Sequence, residues 1–302
     1  MIQFINTTLI GITAGSIYAL MAISLVLVWR STRVINFAQA RMALLSTYFG
    51  YEAMVRTNSF WIALLVAMLG GGLFAALIEL VFMRFLLKRS NSGPIASVAP
   101  IIATLGLYGV IRAVTASIWG GQELQIVAPV SNVGYSIGTE TLVFSPLKLL
   151  ILISVGVLVL LLSLLFQKTN IGLALRASAF SPEIASLSGI KVDLVRTLGW
   201  SLSGAVGAMA GMFQTVDGAG TFSPDSIGFT LLFVSGFIAA VIGGLESLVG
   251  AVIGGLLLGL VISFVLMYIS SSLFFIAPFV VLLLVLFIRP QGIIGVKAAR
   301  RA

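Results

Sequence analysis

A stretch of 42 residues without Asp, Glu, Lys or Arg, from Ser247 to Ile288, constrains this chain most strongly. A helix that crosses a bilayer needs about 20 predominantly apolar residues, so this stretch is long enough for two crossings. Further charge-free stretches cover residues 1–29, 57–78, 90–111, 149–167, 197–216 and 226–245. The sequence therefore predicts an all-α, polytopic bundle of transmembrane helices.

The charge content argues against a soluble domain. Charged residues make up 9% of the chain, whereas a soluble domain carries roughly 25%. The two longest polar stretches are Gly120 to Pro146 and Lys168 to Asp193. Both are shorter than roughly 40 residues, the length below which a folded core usually needs disulfides, metals or oligomerisation. We therefore expect residues 1–302 to form a single transmembrane domain.

The residue types present disfavour several kinds of function. The chain has no Cys and no His, so it lacks thiolates and the commonest metal ligand and general base. We therefore expect neither an enzyme nor a metal site. The net charge of +8 does not indicate nucleic-acid binding, because the cationic residues flank apolar stretches instead of lining one face.

The distribution of Lys and Arg predicts the orientation, because these residues stay on the cytoplasmic side when they lie near the end of a span. The loop 119–146, with Glu123 and Glu140, and the acidic segment 217–225 are predicted to be extracytoplasmic. The loop 168–196 is predicted to be cytoplasmic. Four basic clusters should lie inside: Arg30, Arg33 and Arg41; Arg84, Lys88 and Arg89; Lys168, Arg176, Lys191 and Arg196; and Arg289, Lys297, Arg300 and Arg301.

These constraints predict about nine spans, within a range of eight to ten, with the N-terminus outside and the C-terminus inside. The second span contains Arg41 and is also compatible with a broken or re-entrant helix, which is tolerated where backbone lines a cavity. The predicted spans are 4–28, 37–55, 60–83, 95–118, 147–166, 196–215, 227–245, 248–269 and 272–288.

The cytoplasmic loop 168–196 has the residue pattern of short helices. Ser181 suits an N-cap, Pro182 the first helical position, Glu183 the positive end of the helix dipole, and Gly189 the C-terminus. The preceding segment, 172–179, is predicted to form a second short helix that carries Arg176. Ile184 and Leu187 share a face, with Phe180 near it. Such helices either dock a partner protein or lie on anionic lipid.

Small residues in the predicted spans indicate how the helices pack, and polar residues there indicate where a solute path could lie. Four glycine pairs spaced by four residues predict close helix packing in lipid: Gly11 and Gly15, Gly207 and Gly211, Gly250 and Gly254, and Gly255 and Gly259. Polar groups inside the predicted spans or directly beside them are candidates for a transport path. They are Asn36, Gln39, Glu79 and Thr104. Glu79 lies one turn from Arg84, so a structural ion pair is the alternative.

Five motifs, in order along nearly the whole chain, carry a family resemblance. The motifs are Asn36-Phe37-Ala38; APIIATLG at 99–106; GLALRA at 172–177 with ASLSGI at 185–190; Ile242-Gly243-Gly244; and Arg289-Pro290-Gln291-Gly292. Together they resemble the permease subunits of bacterial ABC importers for branched-chain amino acids. The chain is similar to the shorter of the two permease subunits in this family.

The resemblance implies partners, a mechanism and a location. It implies a second permease subunit, two ATP-binding cassette subunits that hold ATP and Mg, and an extracytoplasmic solute-binding protein, in a bacterial inner membrane with its lipid. The chain itself then provides a path by alternating access and binds no cofactor. The resemblance also implies that the loop helix docks the ATPase through Arg176, Ser181, Pro182, Glu183, Ile184, Leu187 and Gly189.

One departure from the family pattern bears on the substrate. The family usually continues Asn-Phe-Ala with His-Gly, whereas this chain has Gln39-Ala40, so a titratable ring is replaced by a neutral amide. The resemblance therefore implies a branched-chain amino acid as the leading substrate, with a related small polar solute as the alternative. A secondary transporter or a channel is the alternative, although neither would need a docking helix.

Overall fold

The computed structural model describes residues 2–89, 98–137, 140–289 and 292–293. Helices account for most of this part of the chain. A π-helical turn, Glu79–Met83, joins α3 to α4, and a 3-10 turn, Ser271–Phe275, precedes α12. The helices are α1 Ile2–Thr32, α2 Gln39–Thr57, α3 Phe60–Ile78, α4 Arg84–Arg89, α5 Ala99–Trp119, α6 Pro146–Lys168, α7 Asn170–Phe180, α8 Pro182–Leu187, α9 Val192–Asp217, α10 Ile227–Gly243, α11 Leu248–Tyr268 and α12 Ala277–Ile288.

Each of the nine predicted spans overlaps a helix, and residues 95–97 of the fourth span lie outside the described residues. The largest difference is at the last one, which is predicted from residue 272 but begins as α12 at Ala277, with Pro278 in its first turn. At 1.5 Å per residue, its 12 residues rise about 18 Å, less than the roughly 30 Å of a hydrocarbon core. Within the part of the chain that the structure describes, five helical stretches are long and apolar enough to cross a membrane: 2–32, 60–87, 99–119, 146–168 and 248–268.

Four short strands complete the described elements. Strand β1, Leu124–Gln125, pairs antiparallel with β4, Thr221–Phe222. Strand β2, Tyr135–Ile137, pairs antiparallel with β3, Glu140–Leu142. The all-α prediction therefore holds for the helical bundle and misses these two small ribbons in the connections.

The chain forms two compact units. The first contains Met1–Val26, Val130–Val155 and Leu231–Ala302, and the second contains Leu27–Pro129 and Gly156–Thr230. In the first unit, α1 and α11 meet at glycines: a methyl group on Gly259 would overlap the backbone of Gly15. Gly11 and Gly255 are similarly close to the facing helix. The predicted close packing through glycine pairs is confirmed here.

We expect Gly259→Ala to destabilise the protein, because the added methyl group must push α1 and α11 apart. Overpacking of this kind typically costs about 1–3 kcal/mol. The matched control is Gly156→Ala in α6, where a methyl group meets nothing within 4 Å; helical alanine there should leave the protein unchanged or slightly more stable. Thermal unfolding in detergent measures both variants, and equal midpoints would contradict the packing argument.

The second unit is built around α2. Most of this helix is buried, and its neighbours are α3, α5 and α9. Glycines again permit the contact of α3 with α9, because Gly71 and Gly204 face each other without room for a side chain. The first residues of α2 are the most interior, so polar groups placed there lie inside the protein and not at its surface.

Candidate functional site

A buried hydrogen-bond network surrounds the start of α2. Asn36 Nδ2 donates to Gln39 Oε1 at 2.9 Å, and Asn36 Oδ1 accepts from the backbone N–H of Ala38 at 3.1 Å. Ser203 Oγ on α9 donates to Gln39 Oε1 at 3.3 Å. Asn36, Gln39 and Ser203 are fully buried. The network offers neutral donors and acceptors, which suit a polar solute and supply no acid or base for covalent chemistry.

Thr104 lies beside the same segment. Its Oγ1 accepts from the backbone N–H of Phe37 at 3.4 Å and donates to the carbonyl of Ile101 at 2.9 Å. The structure thus brings together three of the four predicted path residues: Asn36, Gln39 and Thr104. Sequence reasoning missed Ser203, because nothing in the sequence distinguishes it from Ser201 two residues earlier.

Glu79 lies in a separate cluster with Arg84. Its Oε2 is 3.0 Å from Arg84 Nη2 and accepts from Thr197 Oγ1 at 2.6 Å. Arg84 Nη2 also donates to the carbonyl of Asp193 at 3.0 Å. The carboxylate of Glu79 is fully buried, so this ion pair ties the π-helical turn after α3 to the first turn of α9. The alternative structural reading of Glu79 therefore has direct support.

Arg41 corrects one prediction. The sequence predicts that Arg41 lies with Arg30 and Arg33 in a cytoplasmic basic cluster, but in the structure its side chain is only 5% exposed. Arg41 Nη1 donates to the carbonyl of Pro224, and Nη2 donates to Tyr108 Oη at 2.7 Å. The grouping fails because α1 ends at Thr32 and α2 starts inside the protein, so eight residues of separation do not keep two arginines together.

Arg33 occupies a different environment from Arg41. It is exposed, and its Nη2 donates to the carbonyl of Ala179 at 3.0 Å, at the end of α7. The segment before α2 is thereby attached to the loop helices. The basic residues Lys297, Arg300 and Arg301 of the C-terminal cluster lie outside the described residues.

A polar cavity of about 410 Å³ lies at the other end of α9. Asp225 at its edge pairs with Arg112, at 2.6 Å from Oδ1 to Nε and 3.1 Å from Oδ2 to Nη2. The hydrogen bonds from Arg112 hold the pKa of the Asp225 carboxyl below its usual value. The residues that line the cavity are mostly polar or small: Glu123, Gln214, Thr215, Gly218, Ala219, Thr221, Ser223, Asp225, Ser226, Ile227, Gly228 and Phe229.

The short helix predicted in the loop 168–196 is confirmed as α8. Ser181 Oγ accepts from the backbone N–H of Ile184 at 3.4 Å, Pro182 and Glu183 occupy the first turn, and Gly189 has the left-handed φ of 84° that ends the segment. Thr169 caps the preceding helix α7 by accepting from Gly172 N at 3.1 Å. Two short helices therefore follow one another in this loop, with Ser181 between them.

These two helices expose an apolar surface. Phe180 and Leu187 are each 90% exposed, and Ile184 is 62% exposed. Arg176 and Glu183 are also exposed, whereas Ala185 faces the interior. Exposed apolar side chains of this kind are typical of a contact with a partner protein or with lipid. We call Phe180, Ile184 and Leu187 the loop-helix patch.

The apolar helices define a multi-pass helical membrane protein. The chain belongs to the family described as branched-chain amino acid transport system / permease component, whose model matches residues 7–288.

Several relatives are similar over nearly their whole length. The probable branched-chain amino acid transport permease protein LivH of Methanocaldococcus jannaschii is 31% identical, over 95% of this chain and 91% of that protein. LivH of Salmonella typhimurium, a high-affinity branched-chain amino acid transport system permease protein, is 27% identical over 97% and 96%. BraD of Pseudomonas aeruginosa, with the same description, is 26% identical over 94% of each chain.

Proposed function

We propose that this chain is the permease subunit of an ATP-driven importer for branched-chain amino acids or a related small polar solute, located in a bacterial inner membrane. The observation that carries the proposal is the family match over residues 7–288. The importer would combine this chain with a second permease subunit, two ATP-binding cassette subunits that hold ATP and Mg, and an extracytoplasmic solute-binding protein. The chain would form the solute path by alternating access.

The loop-helix patch supports docking of the ATPase. The patch is apolar and exposed, and it lies on two capped helices, with Phe180 at the end of α7 and Ile184 and Leu187 on α8. Buried apolar surface of this kind stabilises association, at roughly 25 cal/mol per Å² removed from water. The residues assigned to coupling are Arg176, Ser181, Pro182, Glu183, Ile184, Leu187 and Gly189.

The directions of three helices support the nine-span orientation. Residues 37, 41 and 52 of the α2 region contact residues 104, 108 and 119 of α5, respectively, so the two segments run parallel. Gln39 contacts Ser203, and Gly211 lies against Thr47, so α9 runs parallel to α2 as well. In the proposed topology all three run outward, with the loop 119–146 outside and the loop 168–196 inside.

Single cysteines test this orientation, because the natural chain contains none. We expect Ser131→Cys to react with a membrane-impermeant maleimide on intact cells, and Ser186→Cys to react only after permeabilisation. Both positions are exposed, so access depends on the side of the membrane and not on burial. Labelling of Ser186→Cys on intact cells with protection of Ser131→Cys would invert the topology.

Transport in proteoliposomes tests the proposed function. The complex with its ATPases and binding protein should take up radiolabelled leucine, isoleucine or valine only when ATP is present on the ATPase side. Uptake should persist when a protonophore and a sodium ionophore collapse the ion gradients. ATP-independent uptake that those ionophores abolish would instead favour a secondary transporter, and uptake down a gradient without either would favour a channel.

A further inference from the structure

Arg41 is a buried cation with no carboxylate partner among the described residues. Its side chain is 5% exposed, and the ion pairs found in that part of the chain do not include it. Its two hydrogen bonds go to neutral oxygens, the carbonyl of Pro224 and the hydroxyl of Tyr108. An ionisable group kept inside a membrane protein is costly and is a functional candidate by default.

The guanidinium retains unused donor capacity. A guanidinium has five N–H donors, and Arg41 Nε–H is buried with no acceptor in the described part of the chain. The Cζ atom lies 4.5 Å from the ring centroid of Tyr108, so the ring face partly offsets the charge without accepting that hydrogen bond.

A second buried donor lies on the same face of α2. Tyr48 follows Arg41 by seven residues, which is two helical turns. Its hydroxyl is also buried without a partner among the described residues, and the charges of Arg41 and Asp225 both act on it. Stacking on Trp119, with centroids 4.6 Å apart, holds the ring in place. Arg41 Nε–H and the Tyr48 hydroxyl are thus buried donors without acceptors among the described residues, close to one positive charge. An anionic group that accepts hydrogen bonds would satisfy both donors and the charge.

The surroundings of Arg41 include the groups already described as path candidates. Gln39 lies two residues earlier in the buried amide network, and Pro224, which accepts from Arg41, is flanked by Ser223 and Asp225 of the polar cavity. The charges of Asp225 and Arg41 act on each other, but the two side chains form no ion pair, and both oxygens of Asp225 accept from Arg112.

We propose that Arg41 binds the carboxylate group of the transported solute, with Tyr48 as a second donor. This inference rests on the proposed function and adds a selection rule to it: the path accepts solutes that carry a carboxylate and rejects amines of the same shape. Arginine suits this role because its planar fork matches a carboxylate and stays charged at any physiological pH.

Two analogues of leucine test the inference on the assembled complex without its binding protein. 4-Methylpentanoate keeps the apolar side chain and the carboxylate, and isoamylamine keeps the side chain and the amine. We expect leucine and 4-methylpentanoate to raise the unfolding temperature of the complex, and isoamylamine to leave it unchanged. Stabilisation by isoamylamine alone, or by none of the three compounds, would overturn the inference.

The variants separate a binding role from a structural one. Arg41→Gln should raise the 4-methylpentanoate concentration for half-maximal stabilisation roughly tenfold or more, since a charge-assisted hydrogen bond is lost. Arg41→Lys keeps the charge and should show a smaller shift, which keeps the test valid if the Gln variant does not fold. The matched control is Arg56→Gln, an exposed arginine on the same helix; it should bind as the natural protein does.

The outcomes distinguish this inference from the proposed function. An unchanged 4-methylpentanoate response in both Arg41 variants would overturn the inference while ATP-driven leucine uptake left the proposed function intact. Conversely, a complex that binds 4-methylpentanoate through Arg41 but takes up no branched-chain amino acid would keep the carboxylate site and refute the substrate.

Discussion

Leu187→Asp is expected to abolish ATP-driven uptake while the chain still inserts and folds. Leu187 is 90% exposed at the tip of α8, and docking of the ATPase would bury it. Full burial of a leucine stabilises a contact by about 1.5–3 kcal/mol, and an aspartate in the same place adds a desolvation cost. We therefore expect the ATPase to bind at least tenfold more weakly, which its co-purification with the permease will measure.

Ser186→Asp is the matched control for Leu187→Asp. Ser186 is exposed on the same helix but points away from Ile184 and Leu187, so it receives the same charge outside the loop-helix patch. The caps at Ser181 and Gly189 are untouched in both variants, so α8 itself should persist. If both variants retained the ATPase equally, the loop would be a lipid-facing or solvated segment and not a docking site.

Arg84→Met is expected to produce a large loss of stability. Arg84 is the counter-charge of Glu79, whose carboxylate is fully buried. Removal of one partner of a buried pair typically costs about 3–5 kcal/mol, because the other charge remains without compensation. Unfolding of the purified chain in detergent, by heat or by a denaturing detergent, will measure the change.

Arg196→Met is the matched control for Arg84→Met. Arg196 pairs with Asp193 at 3.6 Å, and both side chains are partly exposed, so its loss should cost about 1 kcal/mol or less. The double variant Glu79→Gln with Arg84→Met removes both charges and should recover much of the loss. Equal destabilisation by Arg84→Met and Arg196→Met would show that Glu79 is not an isolated buried charge once Arg84 is gone.

Much of the helical architecture could be predicted because hydropathy and capping are local properties of the sequence. Apolar stretches with few or no charges predict the nine helical segments, and Ser181, Pro182 and Gly189 predict the ends of the loop helix. Close packing of α1 on α11 followed from glycines four residues apart.

The interior contacts could not be predicted in the same way, because a single sequence does not show which faces of two helices meet. The burial of Arg41 depends on how the chain turns between Thr32 and Gln39. No local sequence signal marks that turn. Ser203 depends on the rotation of α9. The sequence marks Glu79 as a polar group inside a span, but its contact with Thr197 depends on how α3 and α9 pack together.

Two hydrogen bonds, from Arg33 and from Arg84, hold the loop helices, and they determine where a force on these helices would be transmitted. Arg33 holds the carbonyl of Ala179 before α8, and Arg84 holds the carbonyl of Asp193 after it. The segment that carries Leu187 is thus hydrogen-bonded to the rest of the second unit on both sides, so a force applied at Leu187 would be transmitted at two points. Arg33 lies three residues before Asn36, so in the proposed topology a displacement of the loop helices at the cytoplasmic side would be passed to the start of α2.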